Sequence, residues 1–388
     1  FVPRRLTREL PGRILASAEI QTPLNEASAR VAIEELLEQG VEALAVALLW
    51  STVNPIHELR VGEMIEELAP SVPFSLSHQV NPTIREYRRA SSTVVDAALK
   101  PTMQRYLASL EGRLGEAGFR GALMVLTSTG GMLPAQEVAG RPVAIINSGP
   151  SMAPIAARRY LEAEGIGSDA LVADTGGTTF DISLIRNATV PMTRELWIGE
   201  PWVGLMTGYP SVHVESIGAG GGSLASVDHG GLLQVGPQSA GSEPGPACYG
   251  RGGDRPTLTD AAVVLGFIDP AFFLGGAMPI SLDAARDAIE DHVAQPLGLS
   301  TVEAAWSVLD LATENMAQAA IDLALRNGID PTQSVLVCGG GAAGINAAFI
   351  ARRLGGVEAV FPESGAALSA AGAVLADITK EFARTDFI

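Results

Sequence analysis

One segment near the middle of the chain constrains the fold more than any other. Residues 171–185 read LVADTGGTTFDISLI, two apolar runs separated by a turn of glycine and threonine. The runs Leu171 to Asp174 and Phe180 to Ile185 predict two short strands joined by that turn. The first strand delivers Asp174 to the turn, and Asp181 leaves with the second. The two aspartates are therefore candidate catalytic residues.

The turn itself has the composition of a phosphate-binding loop. Gly176 and Gly177 allow backbone N–H groups to approach a phosphate closely, and Thr178 and Thr179 add hydroxyl donors. Carboxylates beside a phosphate make sense only if a divalent cation or a water lies between the anions. An ordinary β-hairpin with a glycine turn is the alternative that the pattern leaves open.

A second glycine-rich turn lies nearer the C-terminal end. Residues 335–346 read VLVCGGGAAGIN, which predicts a strand, a glycine loop and the start of a helix. Such a loop suits close backbone approach to a ligand, and its candidate contacts are Gly339, Gly340, Gly341 and Gly344. The spacing matches neither the dinucleotide-binding pattern nor the lysine-containing phosphate loop, and a plain strand-to-helix turn is about as good an interpretation. The two glycine turns together are better evidence than either alone.

Strands and helices alternate along the chain, which predicts an α/β protein. Asn25 is a suitable cap for a helix that ends near Gly40, and the apolar run from Val41 to Leu49 follows as a strand. Further helices are predicted over residues 56–68, 91–114 with an interruption at Pro101, 148–164, 302–328 and 365–380. A short linker at residues 115–121 divides the chain into two predicted domains, 1–115 and 116–388.

The net charge and the number of cysteines indicate which ligands and which cellular compartment suit the chain. Lysine and arginine total 26 against 43 acidic residues, which gives a net charge of −17. That balance argues against nucleic acid, which demands a basic surface. No apolar run approaches the roughly 20 residues that a membrane span needs. The two cysteines imply no disulfide framework and fit a reducing, cytoplasmic compartment.

Isolated nucleophiles and possible metal ligands elsewhere in the sequence are weaker evidence for a functional site. The five histidines show no zinc-type spacing and are interpreted as non-ligands. Ser148 lacks the surroundings of a nucleophile elbow and is interpreted as a helix cap. Cys248 has no identifiable base and is interpreted as structural.

The motifs also carry a family likeness. Residues 172–181 resemble the second phosphate motif of the superfamily of sugar kinases, heat-shock chaperones and actin, and residues 339–344 look like its adenosine motif. Residues 216–223 (SIGAGGGS), 236–253 (GPQSAGSEPGPACYGRGG) and 256–261 (PTLTDA) are similar to the hydantoinase A/5-oxoprolinase family. Further landmarks are Val2 to Arg5, Pro23-Leu24, Asn54-Pro55, His57-Glu58 and Arg85 to Tyr87. That family includes ATP-dependent lactam and hydantoin hydrolases and the related acetone and acetophenone carboxylases.

The resemblance implies a two-lobed, ribonuclease H-like ATPase fold of the actin and sugar kinase type, acting by phosphorylating a carbonyl oxygen. By that likeness, Asp174 positions the attacking group or Mg²⁺ (or Mn²⁺), and Asp181 is a second catalytic carboxylate. Gly176 to Thr179 hold phosphate, and Gly339 to Gly344 hold the adenosine of ATP. The substrate is a small cyclic amide or ketone, and the partner is a large second subunit of the hydantoinase B type in an oligomeric complex.

The chain departs from the family pattern at identifiable points. The usual Asp-x-Gly-Gly-Thr phosphate loop does not precede Leu171, so the chain is expected to begin after it, with an incomplete first lobe and feeble ATP binding on its own. The adenosine loop reads Gly340-Gly-Ala-Ala-Gly344 where Gly-Gly-Ala-Gly-Pro is common. His213 and Glu215 stand where Asp-x-His is frequent. By the resemblance, domain 1–115 is the C-terminal part of the family's N-terminal region and domain 116–388 its ATPase domain.

Three functions remain open from the sequence. The first is the ATP-cleaving subunit of a cyclic amide hydrolase of the hydantoinase/oxoprolinase type, and the second is the corresponding subunit of a related carboxylase. The third is a regulatory or non-catalytic ATP-binding module. Residues 236–253 favour the first two, because chaperone ATPases have no similar loop.

Overall fold

The computed structural model describes residues 2–199, 202–380 and 383. The chain forms two compact units. Unit 1 comprises Phe1–Ser148, Met192–Val212 and Asp377–Ile388, and unit 2 comprises Gly149–Pro191 and His213–Ala376. None of the helices described within these ranges combines the length and apolar character needed to cross a lipid bilayer.

The strands of the described residues are mostly short. In chain order they are β1 Arg13–Ile14, β2 Ile20–Thr22, β3 Leu44–Val46, β4 Phe74–Leu76, β5 Met124–Leu126, β6 Met132–Pro134, β7 Ala170–Thr175, β8 Phe180–Ile185, β9 Met192–Thr193, β10 Trp197–Ile198, β11 Leu205–Met206, β12 Ser211–Val212, β13 Val214–Ile217, β14 Ser223–Val227, β15 Leu233–Ser239, β16 Val335–Gly339 and β17 Ala359–Val360.

The helices include two long ones, one in each unit. In chain order they are α1 Glu26–Glu38, α2 Ile56–Leu68, α3 Ser77–Val80, α4 Glu86–Glu116, α5 Ala135–Gly140, α6 Met152–Glu164, α7 Leu258–Val264, α8 Leu282–Ile289, α9 Gln295–Leu297, α10 Thr301–Arg326, α11 Ala343–Arg353 and α12 Leu368–Leu375. A π-helical turn, Glu290–Ala294, joins α8 to α9.

Unit 2 is built on a five-stranded sheet of order β13-β8-β7-β16-β17. Strand β8 runs antiparallel to both of its neighbours, whereas β7, β16 and β17 are parallel. In chain order this is a 3-2-1-4-5 sheet with only its second strand reversed, the arrangement of the ribonuclease H-like fold. The α/β class is confirmed, and the two short strands predicted at Leu171 to Asp174 and Phe180 to Ile185 are β7 and β8.

Helices cover both faces of this sheet. Side chains point alternately to the two faces along β7, and the apolar side chains on each face pack against helices. Leu171 and Ala173 point into a large core shared with α7, α10 and α11. Ala170 and Val172 point the other way and pack against α6 and the start of α12. The predicted long helix over residues 302–328 is α10, which supplies much of the first core.

Unit 1 contains a smaller parallel pair, β3 and β4, covered by α1 and α2. Asn25 caps α1 as predicted, since its side chain accepts the N–H of Ser28 at 3.0 Å. Met64 and Ile65 on α2 are fully buried in the core of this pair. The helix predicted at residues 56–68 is α2.

Three helix predictions were wrong in detail. Helix α4 continues through Pro101, because buried residues on both sides, Asp96 and Leu107, fasten it to the rest of unit 1. Ser148 caps no helix, since α6 begins at Met152. The last helix ends at Leu375 and does not reach residue 380, because Ala376 adopts an extended backbone.

Candidate functional site

Asp174 and Asp181 lie side by side at one edge of the sheet of unit 2. The register pairs Asp174 of β7 with Asp181 of β8 on one side and with Gly339 of β16 on the other. Asp174 Oδ2 accepts a hydrogen bond from Ser369 Oγ at 2.7 Å, and Asp181 Oδ1 accepts one from Ser216 Oγ. Each carboxylate is therefore oriented by a serine hydroxyl, and no hydrogen bond from the described residues reaches its other oxygen.

Burial raises the pKa of Asp181 above its usual value of 3.8. The hydroxyl of Ser216 acts in the opposite direction, and the neighbouring charge of Asp174 adds to the increase. Two carboxylates this close repel each other, and a proton or a cation relieves that repulsion. The pair is a suitable place for positive charge to bind.

This carboxylate pair fits a small divalent cation. Mg²⁺ prefers oxygen ligands and is commonly held by one or two carboxylates, with phosphates and waters completing the shell. Within the described part of the chain, no group of three or more His, Cys, Asp or Glu side chains is arranged to hold a metal ion. Asp174 and Asp181 therefore supply a donor set of the size that Mg²⁺ needs beside a phosphate.

The turn between β7 and β8 presents its backbone to solvent. The N–H of Gly176 donates to Thr179 O at 2.9 Å and closes the turn. Gly177 and Thr178 are exposed at its tip, and in the described structure their N–H groups donate no backbone hydrogen bond. These are the features that a phosphate loop requires.

A run of glycines after β13, Gly220 to Gly222, packs against the turn between β7 and β8 and hydrogen-bonds to it. The N–H groups of Gly221 and Gly222 donate to Gly176 O and Gly177 O at 3.0 and 2.6 Å. A Cβ on Gly220 would lie 2.8 Å from the Gly176 carbonyl oxygen. Only glycine permits this approach, so the run fixes the shape of the turn.

Thr259 and Asp260 extend this support, a role that the sequence analysis missed. Thr259 Oγ1 donates to Gly221 O at 2.8 Å. Asp260 is fully buried and accepts the N–H groups of Cys248 and Thr257 at 2.7 and 2.8 Å. The loop of residues 236–253 is therefore tied to the glycine run. The sequence signal was the TLTD pattern, which forms a capping box at the start of α7.

The second glycine-rich turn reaches the same edge of the sheet. Gly340 has φ +90°, and a Cβ there would lie 2.3 Å from Thr175 O and 2.5 Å from Asp174 Oδ1. Ala342 donates its N–H to Thr175 O at 3.0 Å. Gly339 is buried at the end of β16, while Gly341, just before α11, and Gly344, in its first turn, are exposed.

The candidate residues named from the sequence are thus neighbours in unit 2. Asp174, Asp181 and the turn Gly176 to Thr179 adjoin the loop Gly339 to Gly344 through the pairing of β7 with β16. The individual roles assigned to these residues stay predictions.

Other residues considered from the sequence have structural partners. His213 Nε2 lies 3.4 Å from Glu215 Oε1, and Arg326 binds the other oxygen of Glu215 at 2.6 Å. Both cysteines are buried. Burial raises the pKa of the Cys338 thiol to about 12 and that of Cys248 well above its usual range. Burial and the raised pKa of both thiols support a structural role.

Two protein-family models match the chain. A model described as hydantoinase/oxoprolinase matches residues 89–382, and a model of the hydantoinase/oxoprolinase N-terminal region matches residues 1–69. The chain belongs to the hydantoinase/oxoprolinase family. The resemblance inferred from the motifs is thereby confirmed.

Known relatives include both hydrolases and carboxylases. The chain is 38% identical to caprolactamase subunit alpha of Pseudomonas jessenii, over 97% of this chain and 54% of the relative. It is 37% identical to the acetophenone carboxylase gamma subunit of Aromatoleum aromaticum, over 88% of this chain and 47% of the relative. The chain therefore spans about half the length of these curated relatives.

Solved structures of relatives confirm the fold. The crystal structure of ATP-dependent caprolactamase matches with a TM-score of 0.85 and 38% identity, covering 97% of this chain and 54% of that one. The nucleotide-free structure of acetone carboxylase matches with a TM-score of 0.81 and 29% identity, covering 97% and 53%. This hydantoinase/oxoprolinase chain thus has the actin-like ATPase fold that its motifs implied.

Proposed function

We propose that the chain is the ATP-cleaving part of a cyclic amide hydrolase of the hydantoinase/oxoprolinase type. The observation that carries this proposal is the convergence of both glycine turns on Asp174 and Asp181. Exposed N–H groups, threonine residues and two carboxylates lie together at one edge of the sheet. Sites of phosphoryl transfer use groups of these kinds to bind phosphate and a cation. A cytoplasmic location remains a prediction.

ATP cleavage serves a chemical purpose in this scheme. Amide hydrolysis is slow because the amide carbon is a poor electrophile and its nitrogen a poor leaving group. Transfer of the γ-phosphoryl group to the carbonyl oxygen forms an O–P bond, breaks the bond to ADP, and releases the amide proton. Water then adds to the activated carbon, and the ring C–N bond breaks as the nitrogen takes up the protons of that water, which leaves an open-chain acyl phosphate. A second water displaces phosphate from the acyl carbon and gives the amino acid.

The residues of this chain divide these tasks. The N–H groups of Gly177 and Thr178 hold phosphate oxygens, and residues 339–344 at the start of α11 hold the adenosine. Asp174 orients the attacking group. The proton that the amide loses passes to water, and Asp181 is the second carboxylate of the site, paired with Asp174 in the sheet register.

Asp174 and Asp181 would hold Mg²⁺ (or Mn²⁺) when it is bound together with nucleotide. That ion would neutralise negative charge on the phosphates, as cations do throughout phosphoryl-transfer enzymes. The serine hydroxyls of Ser369 and Ser216 keep the carboxylates aligned for this contact.

A partner completes the reaction in this proposal. The relatives are named as alpha and gamma subunits, so those proteins work within assemblies. We assign the same arrangement to this chain, with a large subunit of the hydantoinase B type that receives the activated substrate.

A carboxylase is the second candidate. The 37% identity to the acetophenone carboxylase subunit, close to the 38% identity to the caprolactamase subunit, favours it. The activating step is similar, because an enolate oxygen can take the phosphoryl group in place of an amide oxygen.

One assay separates the candidates. The complete enzyme, purified with its partner, is incubated with ATP and either lactams, hydantoin and 5-oxoproline or ketones plus bicarbonate, and ADP, AMP and phosphate are measured. Release that depends on a cyclic amide and needs no bicarbonate supports the hydrolase. Release that depends on ketone and bicarbonate assigns the carboxylase. Release that neither substrate class stimulates favours the regulatory module and refutes both enzymatic proposals.

A further inference from the structure

The loop of residues 236–253 in unit 2 begins within β15, which ends at Ser239. Residues 241–244 form its tip and are exposed, whereas residues 245–248 are buried. Exposed loops that a rigid framework holds in place are common positions for ligand contacts. The side chains at the start of this loop are therefore candidates for contact with a ligand of unit 2.

Hydrogen bonds fasten the loop on both sides of its exposed tip. Before the tip, Ala240 donates its N–H to Gly222 O at 2.9 Å. After the tip, Ala247 and Cys248 donate their N–H groups to the carboxylate of Asp260 at 3.2 and 2.7 Å. The loop therefore leaves β15 in a position that these contacts fix.

The start of the loop lies beside the turn between β7 and β8. Gly222, which accepts the N–H of Ala240, donates its own N–H to Gly177 O at 2.6 Å. A Cβ built on Gly222 would lie 2.9 Å from Gly177 O and 2.9 Å from Ser239 Oγ. The Ser239 hydroxyl and the tip of the turn are therefore neighbours across Gly222, which has no side chain to separate them.

One hydrogen bond orients the hydroxyl of Ser239. Its oxygen accepts the N–H of Gly241 at 3.1 Å. A serine hydroxyl also has one proton to donate, and among the described residues no acceptor for the proton of Ser239 is found. Ser239 is half-buried, so it combines a fixed position with a donor that remains available to a ligand.

The donors at this place suit an anion with several oxygens. Gly177 and Thr178 are exposed, and within the described structure their N–H groups donate no backbone hydrogen bond. Ser239 adds an O–H donor from a different loop. Backbone N–H groups and hydroxyls that lie close together bind phosphate, and their hydrogen bonds to its charged oxygens are stronger than bonds between neutral groups.

We propose that Ser239 is a phosphate ligand, whose hydroxyl donates a hydrogen bond to a phosphate oxygen of the nucleotide held at Gly177 and Thr178. This assignment rests on the proposed function, because it requires nucleotide phosphate at the turn. It adds a donor that lies outside both glycine turns, and it gives the loop of residues 236–253 a direct contact with the nucleotide. Loss of the hydroxyl weakens the binding of phosphate and leaves the contacts of the adenosine unchanged.

Calorimetric titration of the complete enzyme with ATP and with adenosine tests this assignment. Adenosine has the same base and sugar as ATP but no phosphate. We expect Ser239→Ala to raise the Kd of ATP about tenfold, through the loss of a hydrogen bond to a charged group, and to leave the Kd of adenosine unchanged. Ser281→Ala is the matched control, because Ser281 is exposed and its Oγ also accepts a backbone N–H at 3.1 Å, from Ala284. The control is expected to bind both molecules as the wild type does.

The other outcomes separate this assignment from the proposed function. If Ser239→Ala and Ser281→Ala bind ATP equally well, Ser239 is not a phosphate ligand, although the proposed function stands. If Ser239→Ala loses affinity for ATP and adenosine to the same extent, the serine shapes the site and does not contact phosphate, which also overturns the assignment. A wild-type enzyme that binds no ATP refutes the proposed function and the role of Ser239 together.

Discussion

Replacement of Gly340 by alanine tests how closely the second glycine turn packs on Asp174. Gly340 has φ +90°, where a residue with a Cβ pays about 1–3 kcal/mol. The new methyl would lie 2.3 Å from Thr175 O and 2.5 Å from Asp174 Oδ1, so backbone must move, at a further cost of about 1–3 kcal/mol. We therefore expect Gly340→Ala to lower the free energy of unfolding by about 2 kcal/mol or more.

The adjacent glycine provides the control for this change. A Cβ on Gly341 meets no atom within 4 Å, and its backbone lies outside the left-handed region. Gly341→Ala is expected to remain within about 0.5 kcal/mol of the wild type, as surface substitutions usually do. Urea unfolding of the wild type and both variants measures the difference. If Gly340→Ala is as stable as Gly341→Ala, the inferred packing of this loop on Asp174 is wrong.

Three further predictions concern single side chains. Gly177→Ala should leave thermal stability unchanged, since no atom lies within 4 Å of the added Cβ, yet weaken ATP binding of the complete enzyme about tenfold by calorimetry; unchanged affinity removes the turn tip from the site. Asp181→Asn should unfold at the same or a higher temperature at pH 7, because the raised pKa means that the ionised carboxylate destabilises the fold, while ATP turnover falls; a clear loss of stability contradicts this. Glu58→Gln should be less stable than the wild type at pH 7, and the gap should narrow in urea titrations as pH falls below 4.5 through the lowered folded pKa of Glu58; a gap that is constant from pH 7 to pH 3 refutes the role of the charge.

The sheet at the site was predictable because its signal is local. Two apolar runs around a glycine turn define β7 and β8, and a third run before Gly339 defines β16. The family motifs then implied the overall fold that contains these strands. The register that sets Asp174 between Asp181 and Gly339 follows from the pairing itself.

The support beneath the turn was not predictable in the same way. Thr259 bonds to a carbonyl 38 positions away, at Gly221, and such side chain to backbone contacts leave no periodic pattern. Glu58 and His78 are likewise joined across 20 positions. Residues 256–261 and His57-Glu58 were noticed only as family landmarks, and their contacts give those landmarks a physical reason.

Local rules also failed where tertiary packing outweighs them. Proline disfavours a helix interior by about 3 kcal/mol, which predicted an interruption at Pro101. Helix α4 continues because Asp96, on the turn before the proline, binds Ser75 Oγ and the Val143 N–H, and Lys100 binds Phe74 O. These contacts hold the helix just before the proline, and buried Leu107 packs it into a hydrophobic cluster beyond the proline.

We propose that Asp174 serves ATP cleavage and not the stability of the fold. ADP release by the complete enzyme is the most direct measurement, comparing the wild type, Asp174→Asn and the control Asp283→Asn, whose aspartate is exposed at the start of α8. Asparagine retains an oxygen that can accept the Ser369 hydroxyl but removes the charge that positions the transferred group. We predict a loss of about 100-fold or more in ADP release for Asp174→Asn alone, with an unchanged unfolding temperature. ADP release in Asp174→Asn equal to that of Asp283→Asn would contradict the account.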